Sequence, residues 1–133
     1  MAKKLFYPAV FIPEEEGGFS VYFPDVEGCF TQGESIDEAY EMSLDALGLM
    51  LTSLEDAKKP LPIPSDPSKI KPEDNGFVIM IDFDMMEYKK KHSTKSVKKT
   101  LTIPEWLNEE AIARNINFSQ TLQEALITKC QLQ

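Results

Sequence analysis

The stretch that decides how this chain is organised is SVKKTLTIPEWLNEEAIARNINFSQTLQEALITK, residues 96–129. Polar and apolar side chains alternate at its start: Val97, Leu101 and Ile103 lie on one side, and Lys98, Thr100 and Thr102 on the other. Such alternation is typical of a strand with one apolar face. Pro104 ends that strand, because proline has no N–H for a ladder and its φ suits the start of a helix.

Two short helices are predicted after this strand. The first has an apolar stripe of Trp106, Leu107, Ala111 and Ile112 and ends near Asn115 or Asn117. Asn117 is the predicted N-cap of the second helix, with Gln120 as its capping-box partner. That helix carries Leu122, Ala125, Leu126 and Cys130 on one side. Because a lone strand leaves its backbone unpaired, we expect it to pair with the same strand of a second chain.

The order strand, proline, helix, Asn-Phe-Ser, helix resembles the ribbon-helix-helix family of dimeric DNA-binding repressors over residues 96–130. The resemblance implies that the paired strands enter the major groove, which admits a two-stranded ribbon. It assigns base contacts to Lys98, Thr100 and Thr102, and dimer pairing to the strand with Val97, Leu101 and Ile103. The start of the second helix would hold a phosphate through free N–H groups (Asn117, Phe118 and Ser119). The alternative is an amphipathic edge strand or a pure oligomerisation module, which would show no salt-dependent DNA affinity.

Charge is distributed unevenly along the 133 residues. Residues 1–88 contain 6 lysines and 18 acidic residues, a net charge of −12, and residues 89–133 contain 8 basic and 4 acidic residues, a net charge of +4. The sum is the −8 of the whole chain. DNA would be repelled by the first part and attracted by the second, and the first part suits a basic partner.

The remaining composition limits the function classes. Cys29 and Cys130 are far apart and His92 is the only histidine, so neither a disulfide framework, a metal site nor a cofactor is expected. No run of some 18 apolar residues and no signal peptide is seen, so we expect no membrane association and a cytoplasmic location.

Residues 1–88 predict an α+β domain with the order β-β-β-α-β. The strands are Leu5–Ile12, Phe19–Phe23, Cys29–Gln32 and Phe77–Phe83, and a long helix starts at the capping box of Ser35 and Glu38. Pro8 predicts an edge position or a bulge for the first strand. The near-continuous apolar run of the last strand predicts a central position. Five prolines over residues 60–72 exclude regular structure there. Residues 85–95 are polar and basic and form a linker or a short helix, with 89–95 as the basic linker before a second domain, 96–133.

The strings Tyr7-Pro8-Ala9-Val10 and Phe23-Pro24-Asp25-Val26-Glu27-Gly28-Cys29-Phe30-Thr31-Gln32-Gly33 resemble the HicB antitoxin family. Glu27 departs from the pattern, since the family often has a second proline there. The resemblance implies a degenerate ribonuclease H-like domain that sequesters a small basic HicA-type toxin, an mRNA-cleaving ribonuclease. It also implies a C-terminal domain that represses the chain's own operon by binding operator DNA as a dimer or a higher oligomer.

The toxin-binding surface is expected on part of the sheet and on the wide apolar flank of the long helix, with acidic side chains that increase the rate of encounter. The candidate residues are Glu14, Glu15, Glu16, Asp25, Glu27, Met42 and Leu49. No enzyme activity is expected, because nothing in the sequence shows that carboxylates such as Asp82 and Asp84 converge on a two-metal site. The other alternative is a ribbon-helix-helix repressor that senses a small ligand and has no toxin partner.

Overall fold

The computed structural model describes residues 4–92 and 95–132, which form two compact units, the body (4–92) and the C-terminal unit (95–132). The elements of the body are β1 (Lys4–Pro13), β2 (Phe19–Tyr22), β3 (Phe30–Gly33), α1 (Ile36–Asp56), a 3-10 turn (Pro67–Lys69), β4 (Phe77–Asp84) and α2 (Met85–His92). The predicted order β-β-β-α-β is confirmed, and α2 follows it. No described helix is long and apolar enough to cross a membrane.

The four strands form one antiparallel sheet in the order β3-β2-β1-β4. The predicted positions of β1 and β4 were both wrong, because β1 is an interior strand and β4 is an edge strand. Pro8 is tolerated in β1 because only Val10–Pro13 pair with β2, so Pro8 lies outside that ladder. The pairing of β1 with β4 is regular from Lys4 to Phe11, without a bulge.

Helix α1 covers one face of the sheet and forms the core with it. The buried residues of this core include Tyr7, Ala9 and Phe11 of β1, Ile81 and Phe83 of β4, and Ala39, Leu47 and Leu51 of α1. The predicted start of α1 is confirmed, since the Ser35 hydroxyl accepts a hydrogen bond from the Glu38 N–H at 3.1 Å. The Glu38 carboxylate accepts from the Glu34 N–H at 2.9 Å rather than from that of Ser35.

The proline-rich segment is attached to the body at two points. The Tyr7 hydroxyl donates to the Pro62 carbonyl at 2.6 Å. Burial, and to a smaller extent the nearby negative charge of Asp25, raises the pKa of Tyr7. The Asp25 carboxylate accepts from both the Ser65 N–H, at 2.8 Å, and the Ser65 hydroxyl. Asp25 therefore joins the β2–β3 connection to a segment 40 residues away.

Helix α2 packs against α1 through its one tyrosine. Gly48 of α1 leaves room for the Tyr88 ring, since a Cβ at this position would lie 2.1 Å from Tyr88 Cε1. Lys89 pairs with Glu55, and His92 stacks on Tyr88 with its Nε2 3.6 Å from Asp45 Oδ1. Residues 89–92 of the expected basic linker are thus part of a helix, and His92 has defined partners.

The C-terminal unit contains α3 (Glu105–Ala113) and α4 (Phe118–Lys129). Asn115, with φ 56°, follows the end of α3, and the Asn117 side chain caps α4 by accepting from the Gln120 N–H at 3.0 Å. The Gln120 amide donates to Glu124, so the reciprocal half of the expected capping box is replaced. Residues 95–104 have no regular structure, and the predicted strand is not formed in the single chain. A β-strand needs backbone hydrogen bonds to a neighbouring strand. The described residues of this unit include no second strand with which residues 97–103 could pair.

Candidate protein-binding surface and nucleic-acid interface

The C-terminal unit exposes its large apolar side chains. None of its described residues is buried. The exposed set is Val97, Leu101, Ile103, Trp106, Leu107, Ile112, Ile116, Phe118, Leu126 and Ile127. Exposed apolar sets of this size mark interaction surfaces. The three apolar residues of the predicted strand and the stripes of both helices are available to a partner.

The residues expected to contact DNA are all exposed in this unit. They are Lys98, Thr100 and Thr102 before α3, and Asn117, Phe118 and Ser119 at the start of α4. Residues 95–103 contain three lysines and no acidic side chain, which suits a polyanion. Asn117 Oδ1 accepts from the Gln120 N–H, and the backbone N–H groups of this turn are candidates for a phosphate.

The second candidate surface is the sheet face that α1 leaves uncovered. The register places Val10 beside Tyr22 and Val78, and Tyr22 beside Phe30. These four side chains form one row across all four strands. Pro8 and Met80 lie next to the row as a registered pair, followed by Phe6 beside Asp82. We call these seven apolar residues (Phe6, Pro8, Val10, Tyr22, Phe30, Val78 and Met80) the outer face.

Exposure within the outer face increases from its centre to its margin. Val10 and Pro8 are buried, yet neither belongs to the core cluster beneath α1. Phe30 is 74% exposed and Phe6 51%, and Tyr22 and Met80 are each about 40% exposed. Large exposed side chains thus surround a small closed centre, an arrangement suited to contact with another protein.

Acidic groups lie at both ends of the outer face. At one end the Glu14 carboxylate accepts from the Ser20 hydroxyl, and Glu15 and Glu16 complete the β1–β2 turn. At the other end Asp82 accepts from Lys4 Nζ at 3.3 Å and from the Tyr40 hydroxyl at 3.2 Å. Both hydrogen bonds lower the pKa of Asp82, and the bond from Lys4 has the larger effect. Lys4 is the one cation among the strand residues, all of which the structure describes.

The structure divides the residues expected to bind the toxin into two groups. Glu14, Glu15 and Glu16 border the outer face, whereas Met42 and Leu49 are exposed on α1, in the opposite layer. Asp25 and Glu27 lie in the β2–β3 connection, where Asp25 is engaged by Ser65. The acidic β1–β2 turn and the exposed flank of α1 are thus separate candidate surfaces, in opposite layers of the body.

Asp82 and Asp84 have separate structural roles. Asp82 binds Lys4 and Tyr40, and Asp84 Oδ1 accepts from the Glu87 N–H at 3.1 Å at the start of α2. Within 4–92 and 95–132, no group of three or more His, Cys, Asp or Glu side chains is placed to hold a metal ion.

Sequence reasoning expected part of the sheet to contact the toxin but named none of the residues of the outer face. It also left open whether a linker or a short helix follows β4, where the structure has α2. The outer face could have been found from the alternation in β1, where Phe6, Pro8 and Val10 alternate with core residues. The pattern Asp84-x-x-Glu87 is a helix start signal that predicts α2.

Comparison with known proteins supplies the family. The model of the HicB-like antitoxins of bacterial toxin–antitoxin systems matches residues 7–129, which include most of both units. The chain belongs to the HicB-like antitoxin family. This family comprises antitoxins rather than enzymes, which confirms the expectation that the chain is not an enzyme. The ribbon-helix-helix assignment of the C-terminal unit is a separate matter, which the family match leaves as a prediction.

Individual relatives agree with membership of the HicB-like antitoxin family. Antitoxin HicB 1 of Photorhabdus laumondii is 45% identical over 67 residues, which are 47% of this chain and 41% of that protein. The match thus spans less than half of this relative. Among solved structures, a toxin–antitoxin complex from Streptococcus pneumoniae contains a chain that is 32% identical, with a TM-score of 0.61, over 96% of this HicB-like chain and 99% of that one. A HicA3 and HicB3 toxin–antitoxin complex contains a chain that is 27% identical, with a TM-score of 0.51, over 60% of this chain and 99% of that one.

Proposed function

We propose that this HicB-like chain neutralises a small basic HicA-type toxin through its body and represses its own operon through its C-terminal unit. The observation that carries the proposal is that one chain has two compact units with different exposed surfaces. The body is acidic and already contains a closed core, whereas the C-terminal unit has no buried residue among those described.

The toxin half of the proposal is supported by charge and by the relatives. The described body contains 8 lysines against 18 acidic residues, so it attracts a basic protein and increases the rate of encounter. Solved structures similar to this chain include toxin–antitoxin complexes, one of them a complex of HicA3 and HicB3. Apolar contacts would supply most of the stability of the complex.

Co-expression with the small basic protein encoded beside this chain tests the toxin half. We expect a complex that survives size-exclusion chromatography and growth that is restored when the two proteins are produced together. The matched control is the same toxin with an unrelated acidic protein of similar size. Absence of both the complex and the growth rescue would refute this half.

The DNA half of the proposal is supported by the exposed apolar set of the C-terminal unit. Two copies of residues 97–103 pair as antiparallel strands, and Val97, Leu101 and Ile103 close the dimer against α3 and α4. Lys98, Thr100 and Thr102 then project from the ribbon toward base edges, because successive side chains of a strand alternate in direction. Lys can donate to guanine O6 or N7, and Thr offers a hydroxyl and a methyl group for thymine.

Footprinting on the chain's own promoter region tests the DNA half. We expect protection of an inverted repeat, with an affinity that falls steeply as salt is raised from 50 to 200 mM, on the order of tenfold or more. A dimer that protects no site, or that binds without salt dependence, would leave the C-terminal unit as an oligomerisation module.

A further inference from the structure

We propose that the outer face, and not the exposed flank of α1, is the surface that contacts the basic toxin. The inference rests on the proposed function, because it names the surface through which that function would act. It depends on the pairing register, on the exposure of the large side chains, and on the charges at the two ends of the sheet.

The apolar area of the outer face is continuous, while that of α1 is not. The row Phe30, Tyr22, Val10 and Val78 crosses the whole sheet, and Phe6 and Met80 extend it along β1 and β4. On α1, by contrast, Ile36 is exposed in the first turn, and the next exposed large apolar residues, Met42 and Leu49, are two turns apart. Asp45 lies between them along the helix, where it pairs with His92. A partner that needs apolar anchors therefore finds them on the sheet.

The charges around the outer face select a basic protein as the occupant. Glu14, Glu15 and Glu16 lie at one end without a strand cation, and Asp82, registered beside Phe6, lies at the other end, where Lys4 matches its charge. A second copy of this chain would bring the same acidic ends against the first, and like charges across an interface are costly. DNA and anionic lipids would be repelled for the same reason.

The packing gives each part of the surface a distinct role. Val10, within the row, and Pro8, next to it, are buried at the centre of the outer face, so substitutions there would disturb the fold. Phe30 and Tyr22 are a registered pair on β3 and β2, and their exposed rings can enter a depression on the partner. Aromatic anchors of this type dominate the affinity of many interfaces, whereas acidic groups at the rim mainly affect the rate of association.

The test compares two pairs of substitutions in the full-length chain. The first pair is Phe30→Ser with Tyr22→Ser on the outer face, and the matched pair is Met42→Ser with Leu49→Ser on α1. Each variant is titrated with the purified HicA-type toxin encoded beside this chain, and its melting temperature and DNA affinity are measured in parallel. These two parallel measurements show that the body and the C-terminal unit remain folded.

We expect the outer-face pair to weaken toxin binding by about 100-fold or more, since removal of one aromatic anchor typically costs tenfold or more. The α1 pair should weaken it by less than about threefold. The reverse pattern, with strong loss from the α1 pair alone, would overturn the assigned surface but leave the proposed function intact. If the unmodified chain does not bind this toxin, the proposed function itself fails. If the outer-face pair changes only the self-association of the chain, the occupant is a second copy and the inference is wrong.

Discussion

Gly48 of α1 and Tyr88 of α2 lie in direct contact, and any side chain at Gly48 would overlap the tyrosine ring. A Cβ there would be 2.1 Å from Cε1 and 2.3 Å from Cδ1 of Tyr88. This contact attaches α2, the last element of the body, to the helix that covers the sheet. The glycine is therefore required by packing, since glycine inside a helix is otherwise unfavourable.

Gly48→Ala should lower the free energy of unfolding by about 1–3 kcal/mol, because the ring must move away from the helix. The control is the same substitution in a Tyr88→Ala background. There it should raise stability by up to about 1 kcal/mol, because alanine is the better helix former and nothing opposes its methyl group. Urea denaturation of the four proteins measures both values. A destabilisation of equal size in both backgrounds would show that the contact with Tyr88 is not its cause.

The two cysteines should differ strongly in reactivity. Cys29 is 3% exposed, and burial raises the pKa of its thiol from 9.0 to about 11, whereas Cys130 is exposed. Because only the thiolate reacts, a disulfide reagent at pH 8 should modify one thiol per chain quickly and the second only after unfolding. The Cys130→Ser variant should show no fast reaction. Fast modification of that variant in its folded state would contradict the burial of Cys29.

The raised pKa of Cys29 also has a consequence for stability at high pH. The folded chain keeps this thiol neutral, so its contribution is complete below the ordinary value of 9.0 and is lost as the pH rises to about 11. Cys29→Ala should make the stability fall less steeply across this range. Denaturation midpoints at pH 8, 9 and 10 measure the difference, and parallel curves for the two proteins would refute it.

The contribution of Asp82 to stability depends on pH in the opposite direction, because the pKa of Asp82 is lowered. The hydrogen bond from Lys4 has the largest effect, followed by that from Tyr40. The contribution of Asp82 is present above the ordinary carboxyl pKa and is lost as the pH falls through the lowered folded value. Since Asp82 and Lys4 are each about half exposed, the pair should contribute less than about 1 kcal/mol. Asp82→Asn and Lys4→Met should each flatten the acid side of the stability curve. The double variant should add little to either one, and additive effects would show that the pair is not coupled.

Dimer formation and base recognition should be separable in the C-terminal unit. Leu101→Asp places a charge in the expected seam and should give monomers in sedimentation, with loss of specific DNA binding. Lys98→Ala, Thr100→Ala and Thr102→Ala should leave the dimer intact, and each should reduce sequence preference by about 1–3 kcal/mol where the side chain binds a base well. Lys129→Ala, at the end of α4, is a control for loss of charge alone. Equal effects of Lys98→Ala and Lys129→Ala on specificity would contradict the assignment.

Local signals in the sequence predicted the elements of the body well. Ser35 with Glu38 and Asn117 correctly predicted the starts of α1 and α4, and the predicted strands Leu5–Ile12 and Phe19–Phe23 correspond to β1 and β2. These signals act within a few residues, so no tertiary information was needed. The order of the strands in the sheet was harder to predict. Pro8 wrongly suggested that β1 is an edge strand, and the apolar run of β4 wrongly suggested a central strand. The structure explains the second error, since Val78 and Met80 place apolar side chains on the outer face of an edge strand. A sequence cannot distinguish a strand covered on both faces from one that keeps an apolar face exposed for a partner.

We propose that this HicB-like chain inhibits a HicA-type ribonuclease by binding it directly. The most direct measurement is the rate of RNA cleavage by the purified toxin as the chain is added in increasing amounts. We predict that cleavage falls in proportion to the chain added and stops at a fixed whole-number ratio, with both proteins eluting together. Cleavage that continues undiminished in a severalfold excess of folded chain would contradict the claim.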